Sequence, residues 1–86
     1  MCTYITEKVA DTVGSGKGAA GWFKLSETSV YYDHPVHAAA EHTLNIDFLD
    51  PAAGPGARVA VELTAETARE LAAAILRTLD QVPPGI

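Results

Sequence analysis

All three histidines of the chain fall within nine residues, in the run Asp33-His34-Pro35-Val36-His37-Ala38-Ala39-Ala40-Glu41-His42. Neutral imidazoles flanked by carboxylates are the usual ligands of zinc and other divalent transition metals. They are also the side chains best suited to moving protons near neutral pH. Strand parity sharpens the pattern. Val30, Tyr32 and His34 share one face, as do His42, Leu44, Ile46 and Phe48. If the two runs pair as a hairpin, His34 and His42 face each other across the turn, and His37 sits in the turn and can fold back. This trio predicts a metal site with an open coordination position, with Cys2 as a fourth candidate ligand and Asp33 and Glu41 beside it. In the alternative geometry, Pro35 opens a helical turn through Ala38–Ala40. That turn stacks His37 on Glu41 and leaves His42 off the face. The competing reading is structural: loop histidines commonly face solvent or bond to backbone. The spacing fits neither a zinc finger nor a His-Glu-x-x-His helix.

A second candidate surface is polar. Tyr31, Asp33, Thr43, Asn45, Asp47, Arg58 and Glu62 occupy the parity opposite the apolar residues. Covered by a second subunit, this face becomes an enclosed pocket for a small-molecule ligand, with Tyr31, Asp33, Glu41, Asn45 and Asp47 as ligand-binding candidates. Uncovered, it is the solvated side of an antiparallel sheet. The run Gly14-Ser15-Gly16-Lys17-Gly18 superficially resembles a phosphate loop but lacks the required spacing and a following helix. It reads as a flexible loop. Trp22 and Phe23 read as core or interface anchors.

The elements that must position these residues follow from periodicity. Cys2–Val13, Trp22–Leu25, Ser29–His34, His42–Leu49 and Arg58–Leu63 read as strands. In the second of these Phe23 and Leu25 point inward; in the fourth Leu44, Ile46 and Phe48 alternate with Thr43, Asn45 and Asp47. Asp50–Gly56, with two prolines and two glycines, is a loop. Thr64 is an N-cap, and Ala68, Leu71, Ala72, Ile75, Leu76 and Leu79 mark one apolar helix face. Strands followed by one helix predict an α+β fold: an antiparallel sheet of four to five strands with the C-terminal helix packed on one face. Residues 1–82 form the expected single domain, and 83–86 a tail.

Composition narrows the functional classes. The 86 residues carry a formal charge of −5, and the six Lys and Arg are scattered. The chain therefore lacks the electrostatic footprint of a nucleic-acid or anionic-membrane binder. One cysteine excludes an internal disulfide, and no apolar run is long enough to span a bilayer. The start of the chain does not read as a signal peptide, so the expected address is the cytoplasm. So short a chain buries a limited share of its surface, which favours a homo-oligomer, with a dimer first.

The segments Met1–Lys8, Gly21-Trp22-Phe23, Tyr31–His37 and Glu41–Phe48 resemble a family of short bacterial proteins, typical of actinomycetes, known as a domain of unknown function. The resemblance spans nearly the whole chain. It implies one domain and a bacterial origin, and it brings no activity with it. The expected function is a small oligomeric metal- or ligand-binding protein, in one version an enzyme, using His34, His37 and His42. The metal would be zinc or another divalent transition ion, and no organic cofactor is indicated. The alternatives are a non-catalytic interaction or regulatory module and a cofactor-free acid–base isomerase or lyase.

Overall fold

The computed structural model describes residues 5–36 and 39–86. Four strands form one antiparallel sheet: β1 (Ile5–Val9), β4 (Glu27–Asp33), β5 (Thr43–Leu49) and β6 (Arg58–Leu63), in the order β1-β4-β5-β6. Strands β2 (Ser15–Gly18) and β3 (Gly21–Lys24) form a separate hairpin, and helix α1 (Ala65–Asp80) closes the chain. This is an α+β fold with the helix last, as the order of periodicities predicts.

The register makes the two faces of the sheet explicit. Val30 lies opposite Ile46, which lies opposite Val61; Tyr32 lies opposite Leu44, which lies opposite Leu63. These apolar residues share a face. The alternate parity carries Tyr31 opposite Asn45 and Asp33 opposite Thr43, with Glu62 next to Asn45 on β6.

Helix α1 begins where its cap residue directs. Thr64 has extended backbone, and its side-chain oxygen accepts a hydrogen bond from the Thr67 amide at 3.2 Å. One otherwise unpaired amide of the first turn is thereby satisfied. Glu66 in the first turn and Arg77 in the last complement the helix dipole.

The glycine run corrects the expectation of a flexible loop over Gly14–Gly18, because Ser15–Gly18 is strand β2, paired with β3. The physical reason is proximity. A Cβ at Gly16 would stand 3.1 Å from Leu25, and one at Gly18 would stand 3.2 Å from the Gly56 carbonyl oxygen and from the Phe23 ring. The strand is glycine-rich because other backbone and rings press against it. The first strand is also shorter than expected: Ala10 and Asp11 turn, and Thr12 and Val13 carry no strand pairing. Residues 2–4 of the expected strand lie outside the described residues. Phe23 and Leu25 do point inward, with Leu25 buried, whereas Trp22 is exposed and is not a core anchor. The Asp50–Gly56 loop contains a short 3-10 turn at Pro51–Ala53.

The core is thin. Among the described residues only Leu25 and Ala57 are buried apolar residues, and no residue of α1 is buried. The helix approaches the sheet over β5, and between them an apolar groove stays open.

Candidate functional site

The register Asp33 opposite Thr43 extends by one residue past the end of the ladder. There the rings of His34 and His42 face each other with centroids 4.7 Å apart and planes inclined by 34°. Strands β4 and β5 thus pair antiparallel as parity predicts, with His34 and His42 close together; the expected position of His37 and the alternative helical turn over 38–40 fall in part outside the described residues. His42 also stacks on Tyr32, at 6.0 Å between centroids and 17° between planes, within the range of favourable aromatic pairs. The Nδ1 atom of His34 lies 3.1 Å from the carbonyl oxygen of Glu41. A carbonyl only accepts, so in the neutral ring Nδ1 carries the proton and Nε2 carries the lone pair. The turn thereby selects the tautomer of one imidazole. His37 and Cys2, the other expected ligands, lie outside the described residues. Among the described residues, no group of three or more His, Cys, Asp or Glu side chains is arranged to hold a metal ion.

Asp33 ends β4, next to His34. It is only 2 % exposed, and one of its oxygens accepts the His34 backbone amide at 2.7 Å. It therefore fixes the chain where the strand gives way to the turn. The Val36 amide donates to Glu62 at 2.6 Å, which pins the start of the turn to β6. Glu41 is exposed, and its contribution to the described contacts is its backbone carbonyl.

The polar face is more enclosed than a solvated sheet surface. Thr43 is fully buried and donates to the Asn45 side-chain oxygen at 2.7 Å; Asn45 is itself buried. Tyr31 donates its phenol proton to Asp47 at 3.1 Å, and Arg58 pairs with the other Asp47 oxygen at 2.9 Å. Burial raises the Tyr31 phenol above the ordinary tyrosine value, and the Asp47 hydrogen bond and charge raise it further against a smaller opposing effect of Arg58. Tyr31, Asn45 and Asp47 thus bond to other side chains of the sheet, an arrangement that holds the strands in register.

No sequence motif marks the groove between α1 and the sheet. Its volume is about 750 Å³. Its floor includes Val30, Leu44, Ile46 and Leu63, and its walls include Ile5 of β1 and Ile75 of α1. Tyr32, the stacking partner of His42, also lines it. Two charged residues face it as well, Glu7 and Arg69. The signal available in the sequence was the apolar helix face; whether the same chain covers that face is a property of the packed structure.

Fold and geometry together define a small α+β protein with a paired-imidazole turn beside an open apolar groove. The chain belongs to DUF6295, a family of unknown function, whose model matches residues 1–86. No curated protein and no solved structure matches it. No helix among the described residues is long and apolar enough to cross a membrane.

Proposed function

We propose that this is a small binding protein whose site is the imidazole pair at the β4–β5 turn, and that its ligand is zinc or another divalent transition-metal ion. The observation that carries this reading is the convergence of His34 and His42 at 4.7 Å. Two imidazoles on one zinc hold their ligating nitrogens roughly 3.3 Å apart, a spacing within reach of rings so placed. The carbonyl of Glu41 behind His34 supports the reading further. Ligating histidines typically hydrogen-bond through the second ring nitrogen, which fixes the ring and presents the other nitrogen to the metal. His34 is exposed at the surface, so an ion has a path in. His37, within the same turn, is the third ligand of choice, and Cys2 and Glu41 are further candidates. Three protein ligands and an open position would make the site one that exchanges or activates what it binds. On the same reading the protein works in the cytoplasm of an actinobacterium, where a chain with a single cysteine needs no oxidising compartment.

Elemental analysis of untagged protein, as isolated and after reconstitution with zinc, tests this directly. About one equivalent of metal is expected. His34→Ala with His42→Ala should weaken zinc binding at least about tenfold in a chelator-competition titration. Protein that holds no metal in either preparation removes the reading.

The groove favours a second reading, an interaction module without chemistry of its own. In that case alanine at His34 and His42 leaves the cellular role intact and changes only stability.

A further inference from the structure

The groove and the helix above it are unfinished as a monomer. The accessible surface is 6355 Å², whereas a compact folded chain of this mass exposes about 4,900 Å². The radius of gyration is 14.3 Å, against about 12 Å for a compact domain of this length. The excess surface is therefore about 1,500 Å². That excess is larger than the roughly 800 Å² that each partner contributes to a stable interface.

The location of the excess is as informative as its size. Leu71, Ile75, Leu76 and Leu79 of α1 are 42 %, 52 %, 64 % and 61 % exposed, and Ile5 and Val9 of β1 are 64 % and 55 % exposed. A helix in water draws most of its stability from a packed apolar face, and here the described residues leave that face about half exposed. A small molecule seated in the groove would cover Ile75 and Leu71, which line it, but not Leu76, Leu79 and Val9, which do not. The exposed seam continues past the groove, as an extended protein surface does.

Charge identifies the partner. Glu7 on β1 and Arg69 on α1 both line the groove. Neither takes part in the ion pairs Lys8–Glu27 and Arg58–Asp47 of the described residues. The groove thus presents one acid and one base, although the chain as a whole carries −5. A face that is apolar, locally neutral and furnished with one charge of each sign is self-complementary.

We propose that α1 of a second copy of this chain closes the groove, giving a two-fold homodimer in which each Glu7 pairs with Arg69 of the other copy. In such an isologous interface every contact occurs twice, so the two ion pairs form together at the rims of one apolar seam. The dimer is independent of what the imidazoles hold.

Sedimentation equilibrium of the full chain at micromolar concentration reads the mass. Twice the 9.0 kDa of one chain is expected. Glu7→Arg alone and Arg69→Glu alone should each weaken association by about tenfold or more, and the double exchange should restore most of it. Both residues line the groove, and circular dichroism of each variant should show an intact helix. A wild-type chain that stays at 9.0 kDa up to a few hundred micromolar overturns the proposal. So does a monomer that carries an apolar small molecule in the groove. A double exchange that associates no better than either single variant overturns the Glu7–Arg69 arrangement.

Discussion

Tyr31 links three neighbouring strands across the polar face, since its phenol bonds to Asp47, which in turn holds Arg58. Its raised pKa has a consequence for stability. An unfolded tyrosine ionises near pH 10, and the folded chain holds this proton more tightly. The resulting contribution to stability is complete below about pH 10 and is lost as the pH rises through the higher folded value. Tyr31 should therefore titrate late in an alkaline absorbance titration. Tyr31→Phe should remove that late step and cost about 1 kcal/mol of stability near pH 7. Asp47→Asn should move the step to lower pH, because it removes the acceptor charge. At this scale the sequence was informative about pairs and uninformative about burial. His34 and His42 stand symmetrically about the turn, so parity alone brought them together. Asp33, Thr43 and Asn45 share the polar parity as expected, yet their burial depends on neighbouring strands and on how the turn is pinned to β6, and no local pattern encodes that.

Helix α1 and strand β6 were legible as elements because each has a strong period and a chemical boundary. Thr64 marks that boundary, and Thr64→Ala should lower stability by about 1 kcal/mol in denaturant unfolding, with the slope unchanged. Strand β2 was not legible, because a Gly-Ser-Gly-Lys-Gly run has no side-chain alternation from which a strand can be read. Its glycines record the closeness of other groups. Gly18→Ala should cost about 1–3 kcal/mol, since the new methyl meets the carbonyl oxygens of Gly56 and Arg58 and a packed ring. Gly16→Ala should cost less: its closest neighbour is a Leu25 methyl, which can rotate away. Equal losses at the two positions would contradict this account of why the strand is glycine-rich.

For the molecule as a whole, the amphipathic face of α1 was plain in the sequence, and an apolar core beneath it was the natural expectation. The structure instead leaves that face largely in solvent, over a groove of about 750 Å³. An amphipathic pattern states that a face must be covered, and does not state by which chain. In the proposed dimer, association supplies the burial that so short a chain achieves only in part alone. Two-state unfolding should then depend on protein concentration, with the midpoint rising as the protein is concentrated. The central claim, that the groove is a self-complementary interface, is tested most directly by small-angle X-ray scattering over a concentration series. Forward scattering should give twice 9.0 kDa with a radius of gyration clearly above the 14.3 Å of one chain. A mass of 9.0 kDa with a radius near 14.3 Å at every concentration would contradict it.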